Sequence, residues 1–93
     1  MREKQIEQKL AQAVRKSGGM CLKFVSSNFD GMPDRLILFP GGKIAFAELK
    51  APGKKPRPLQ IARRKVLMKL GFRVYIIDSV EQIGVILDEI QSS

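Results

Sequence analysis

The chain predicts an α/β fold, a mixed sheet flanked by helices in the order α-β-β-β-α-β-α. Three observations predict it. Apolar side chains recur at helical spacing in three segments, short β-prone runs lie between them, and glycine or proline stands at most of the boundaries.

The first helix covers residues 3–17, where Ile6, Leu10, Ala13 and Val14 fall on one face. Gly18-Gly19 stops it. Met20 to Val25 is a short strand closed by Ser26-Ser27-Asn28. Pro33 has no backbone donor and cannot sit inside a central strand, so Asp34 stands at the entrance of a strand running from Arg35 to Phe39. Pro40-Gly41-Gly42 turns the chain, and Lys43 to Lys50 returns antiparallel. In that returning strand Ile44, Phe46, Glu48 and Lys50 share one face and Ala45, Ala47 and Leu49 the other. Both faces are apolar until the end, the pattern of a central strand covered on both sides. Ala51 to Arg57 is a loop, and Pro58 suits the first turn of a helix. Leu59, Ala62, Val66 and Leu70 are the expected core stripe of that helix, which Gly71 ends. Phe72 to Ile77 is a strand, and Ser79-x-x-Gln82 is a capping-box pattern that opens a last helix with Ile83, Leu87 and Ile90 inward. No repeat or linker interrupts the pattern, so residues 1–93 are expected to form a single domain.

Composition narrows the function. A formal charge of +8 and a pI near 10.1 favour a polyanionic partner, nucleic acid before acidic lipid. With no histidine, a His-Cys zinc finger, a histidine base and a His-metal nuclease are all excluded. The single cysteine, Cys21, lies in an apolar run and reads as a structural thiol; it excludes an internal disulfide. No apolar stretch approaches a membrane span, and the N-terminus has no signal-peptide core, so an intracellular, cytoplasmic protein is expected.

The stretch GMPDRLILFPGGKIAFAELK carries the chemistry. Asp34 and Glu48, with 13 residues between them, sit at facing ends of a hairpin, and Lys50 follows on the same face as Glu48. Directly opposed residues in such a hairpin lie about 5 Å apart. Charge at the end of a buried strand is costly unless paired or metal-bound. Two converging carboxylates can hold Mg²⁺ against a phosphodiester, with the Leu49 carbonyl as a further oxygen ligand. Lys50 could orient the attacking water or neutralise charge that develops on the phosphorus centre. From Lys50 to Arg73 the chain has nine basic residues and no acid. Lys54, Lys55, Arg57, Arg63 and Arg64 lie within this run, which suits a surface that tracks phosphates. Aromatic residues are sparse there, which favours duplex binding by charge and shape over base stacking.

The PD-x₁₃-ELK pattern, its continuation AELKAPG at 47–53 and PRPLQ at 56–60 resemble the virus-type replication-repair nuclease (VRR-NUC) family of the PD-(D/E)xK superfamily. The resemblance runs from about Glu3 to Ile77. It implies a restriction-endonuclease-like core and a DNA endonuclease that uses Mg²⁺, with Mn²⁺ as a substitute. It implies metal ligation by Asp34 and Glu48, catalysis by Lys50, and an active-site role for Gln60. An acid on the first helix is a further implied ligand; Glu7 is the better match and Glu3 the rival. The same resemblance implies a phage or prophage source. Small nucleases of this kind are similar to archaeal Holliday-junction resolvases, which implies a homodimer acting on branched DNA. Ile61 and Met68, left over by the expected stripe of their helix, are the candidate partner surface.

Overall fold

The computed structural model describes residues 2–93. Its elements are α1 (Glu3–Lys16), β1 (Met20–Lys23), β2 (Arg35–Phe39), β3 (Lys43–Leu49), α2 (Pro58–Lys69), β4 (Arg73–Ile77) and α3 (Glu81–Ser92). This is the expected order. The strands form one mixed sheet, β1-β2-β3-β4, in which only the β3–β4 pair is parallel. A parallel step cannot be closed by a tight turn, and α2 is the crossover that makes it.

β3 is central, as its two apolar faces require. Ala45, Ala47 and Leu49 pack with Ile37, Ile77 and the buried stripes of α1 and α3. Phe46 packs on the opposite face with Leu67 and Val74, flanked by Phe24, Met32 and Leu36. α1 inserts Ile6, Leu10 and Val14, all fully buried, and α3 buries Ile86 in addition to the expected Ile83, Leu87 and Ile90. Cys21 is half-buried against the α1/α3 core, and burial pushes its thiol up.

Two helices end in the same way. The Gly18 and Gly19 N–H groups donate to the Arg15 and Val14 carbonyls at 3.0 and 2.9 Å, and those of Gly71 and Phe72 donate to Met68 and Leu67, both at 3.0 Å. These bonds define the Schellman motif, whose left-handed residue is Gly18 at φ 85° and Gly71 at φ 96°.

β1 stops at Lys23, two residues before its expected end, and Val25 is 85% exposed. The larger correction concerns α2. Leu59, Val66 and Leu70, expected in the core, are 45%, 46% and 68% exposed, and Ala62 is exposed as well. The buried residues are Gln60 and Leu67, which lie seven apart on one helical face. The whole helix is turned by about one residue, roughly 100°, from the rotation its apolar spacing predicts. The cause lies in the site.

Candidate active site

In the β2–β3 register Arg35 stands opposite Ala47, so Asp34 falls one step further, level with Glu48. Strand alternation turns Arg35 toward α1 and leaves Asp34 and Glu48 on the side of α2. The hairpin therefore brings the two carboxylates together at one corner of the sheet. Phe24 N–H and Arg35 Nη1 both donate to the Asp34 carbonyl at 2.9 Å, which fixes the backbone where β2 begins. Asp34 Oδ1 accepts from the Leu49 N–H at 3.3 Å, tying the acid to the end of β3.

Glu48 is 5% exposed. Its Oε2 accepts from Gln60 Nε2 at 2.8 Å and lies 3.5 Å from Lys50 Nζ. The Gln60 Oε1 in turn accepts from the Arg57 N–H at 2.8 Å, at the start of α2. That bond is the reach-back half of a capping box, and it orients the amide so that its NH₂ end points at Glu48. This explains the rotation of α2: a glutamine at the third helical position caps the helix and partners a buried carboxylate, so it takes the inward face in place of the leucines. Lys50 is held by its own backbone, whose N–H donates to the Ile77 carbonyl at 2.9 Å.

The electrostatics follow from this enclosure. Burial pushes the Asp34 carboxyl above the usual carboxylate range, and the charge of Glu3 pushes it further. The Leu49 N–H, Arg35 and Lys50 pull it back. Glu48 is raised first by burial and next by the charge of Asp34, against the opposing effect of Lys50 and Gln60.

Glu48 Oε1 is buried and has no hydrogen-bond partner among the described residues. A buried carboxylate oxygen left unpartnered beside a second carboxylate fits a cation. Two carboxylates on adjacent strands are a donor set suited to a hard divalent ion that keeps part of its water shell. Among the described residues no group of three or more Asp, Glu, Cys or His is near enough to hold a metal by itself. Glu7 does not join Asp34 and Glu48; it forms an ion pair with Arg35 Nη2. Glu3 acts on Asp34 through charge.

The basic residues divide. Lys54, Lys55 and Arg57 are exposed in the loop that follows the site. Arg63 and Arg64 are half-buried on the flanks of α2: Arg63 Nε donates to the Asp30 carbonyl at 2.7 Å, whereas Arg64 Nε is buried without a partner among the described residues. Arg35 is a site residue that sequence reasoning missed. Its signal was available, because the residue after Asp34 must point to the opposite face and so toward the acids of α1.

A sheet flanked by helices, with Asp34, Glu48 and Lys50 gathered at one end, is a nuclease core of the PD-(D/E)xK kind. The comparisons agree. "Putative nuclease p44" of Acyrthosiphon pisum secondary endosymbiont phage 1 is 49% identical over 79 residues, 85% of each chain. A solved structure described as a VRR_NUC domain superposes with a TM-score of 0.85 at 26% identity, over 92% of this chain and 94% of that one. No protein-family model matches. The chain belongs to the VRR-NUC family of nucleases.

Proposed function

We infer that residues 1–93 act as a single-domain, metal-dependent DNA endonuclease that cuts branched DNA as a homodimer. The observation that carries this reading is the buried, unpartnered Oε1 of Glu48 beside Asp34, in a carboxylate whose Oε2 is held by Gln60 and Lys50. Asp34 and Glu48 would hold Mg²⁺, or Mn²⁺ in its place, together with the Leu49 carbonyl. A bound cation would neutralise charge at the phosphate and lower the pKa of the attacking water, easing its deprotonation.

The chain's own groups do the rest. Lys50, fixed against Ile77 and Glu48, orients the attacking water and offsets negative charge on the phosphoryl oxygens. Gln60 holds Glu48 in place through a neutral amide that does not compete for the cation. Arg35 keeps Glu7 away from the pair of acids, and if a third acid contributes, Glu3 is the better placed. Lys54, Lys55 and Arg57 supply phosphate contacts beside the site, with Arg63 and Arg64 flanking them.

Support for a dimer comes from α2. Ile61 and Met68 are 40% and 52% exposed and share one flank of the helix, and Val66 and Leu70 are exposed on its opposite flank. A two-fold axis would present two sites to one junction, where a monomer would nick or trim. No helix among the described residues is long and apolar enough to cross a membrane.

The test is a panel of labelled four-way junctions, forks, flaps and linear duplex incubated with Mg²⁺, Mn²⁺, Ca²⁺ or EDTA. Cleavage of junctions with Mg²⁺ or Mn²⁺, absent in EDTA, is the expected result. Tight binding with no cleavage in any metal would make the chain a non-catalytic nucleic-acid-binding module.

A further inference from the structure

The loop between β1 and β2 carries an aromatic ring that the core does not use. Phe24, Phe46 and Phe72 pack edge to face, with ring centroids 5.5 and 5.7 Å apart. Phe39 is buried, and the Tyr75 hydroxyl donates to Glu89 at 3.0 Å. Phe29, in the loop that joins β1 to β2, is 45% exposed, more than any other aromatic residue.

Phe29 is nevertheless held. The Arg63 guanidinium sits over its ring, 3.9 Å from the centroid, while Arg63 Nε bonds the Asp30 carbonyl. Gly31 lies so close to α2 that an added Cβ would meet Leu59 Cγ at 2.7 Å and its carbonyl at 3.1 Å. The loop is thereby clamped to the start of α2. A phenyl ring with a guanidinium on one face and solvent beyond is a preformed stacking platform.

Its place gives it meaning. Arg63 stands three residues after Gln60, which bonds Glu48. Residues three apart on a helix are surface neighbours, with Cβ atoms about 5–6 Å apart. Successive nucleotides of a strand are spaced by about 3.4 Å along the duplex axis, so the ring lies within a few nucleotides of a phosphate held at the Asp34–Glu48 corner.

We propose that Phe29, backed by Arg63, is a binding site for an unstacked nucleobase of the DNA substrate. Intact linear duplex offers no free base face, whereas bases at a branch point unstack at lower cost. The pair therefore discriminates branched from linear DNA by stacking, a means that the sparse aromatic content of the basic run argued against. This inference rests on DNA being the substrate of the adjacent site.

The experiment places 2-aminopurine at the branch point of a four-way junction, or at the matching position of a linear duplex, and titrates the protein in Ca²⁺, so that no cleavage is needed. Wild type should change the fluorescence at the branch position and leave the duplex probe unaffected. Phe29→Ala should abolish that change and weaken junction binding about tenfold, the low-to-middle range for one base–aromatic stack. Its duplex affinity should stay within about twofold, because the phosphate contacts that dominate it are untouched. Phe29→Trp should restore both losses. Equal weakening on junction and duplex, no weakening on either, or no branch-specific signal from wild type would each overturn the proposal. Failure of cleavage in Mg²⁺ with the branch-specific signal intact would sink the nuclease reading and leave the base site standing.

Discussion

Asp34→Asn should raise the melting temperature of the metal-free protein while abolishing its cleavage. Asn keeps the oxygen that accepts the Leu49 N–H and removes only the charge. That charge is poorly served. Its one hydrogen bond among the described residues, at 3.3 Å, is longer than the usual 2.9–3.0 Å, and Glu3 and Glu48 both repel it. An inadequately satisfied buried polar group costs about 1–3 kcal/mol, and the partial exposure of Asp34 together with Arg35 and Lys50 brings the figure to the lower end. A gain of about 1 kcal/mol in a chain of this length corresponds to roughly 4–8 °C. The pH dependence has a definite sign. A carboxyl raised in the folded state binds its proton before the unfolded chain does as pH falls. Its cost is therefore full at neutral pH and is relieved as pH drops through the folded value toward the ordinary ~3.9. The advantage of the variant should be largest near pH 7 and close at about pH 4. Mg²⁺ at ten times its dissociation constant should stabilise wild type by about 1.4 kcal/mol, removing or reversing the difference, and should leave the variant unmoved. Differential scanning fluorimetry across pH, in EDTA and in Mg²⁺, measures all of this. A variant that melts at or below wild type in EDTA at pH 7, or a metal shift equal in both proteins, would refute the reasoning.

Lys50→Ala should lower the single-turnover cleavage rate by two or more orders of magnitude, in line with loss of a positioned charge or proton-transfer group (about 10²–10³-fold), while junction binding in Ca²⁺ changes only a few-fold. Neutralising Lys54, Lys55 and Arg57 together should weaken DNA affinity and flatten the slope of log K against log salt by about 2–3, near 0.9 for each phosphate that is no longer neutralised; an unchanged slope means that the loop does not touch phosphate. Light scattering should give about twice the 10.4 kDa chain mass, and Met68→Asp should return the monomer with its melting temperature preserved, since Met68 is 52% exposed within one chain. A variant that keeps the wild-type mass removes Met68 from the partner surface.

The element order, the central strand and the convergence of Asp34, Glu48 and Lys50 were legible because they depend on local rules. Pro33 fixes where β2 begins, Pro40-Gly41-Gly42 fixes the turn, and alternation along β3 then puts Glu48 and Lys50 on one face. The rotation of α2 was not legible from hydrophobic spacing, since one polar residue decides it. Gln60 makes two hydrogen bonds by turning inward, one to Glu48 and one from the N-cap of its own helix, and Leu67 is the apolar residue that comes with it. The same reach-back bond appears at Gln82, whose Oε1 accepts from the Asp78 and Ser79 N–H groups, and there the sequence pattern did expose it. Glu7 was implied by the resemblance alone, and its ion pair with Arg35 was not legible because it depends on a strand residue 28 positions away. Phe29 gave no signal because its partner, Arg63, lies 34 positions along the chain and was counted only as a charge.

The features that make the corner unfavourable as plain structure are those that make it a site. Removing water from Asp34 and Glu48 raises both carboxyls, and setting them level across a hairpin adds their repulsion. Lys50 and Gln60 share Glu48 Oε2 and leave Oε1 bare. A fold selected for stability alone would do better with apolar residues here, because a buried carboxylate without full partners is among the more expensive groups a core can hold. The same low-dielectric surroundings strengthen the attraction of these carboxylates for a cation. Free energy withheld from the metal-free fold would therefore be recovered on binding a cation. Stability in EDTA and affinity for Mg²⁺ should then vary inversely across substitutions at Asp34, Glu48 and Gln60. Gln60→Leu is the sharpest case, because it restores an apolar inward face to α2 and also removes the donor that Glu48 needs. If the cation is what Glu48 lacks, this variant should lose melting temperature in EDTA and recover more of it than wild type does when Mg²⁺ is added.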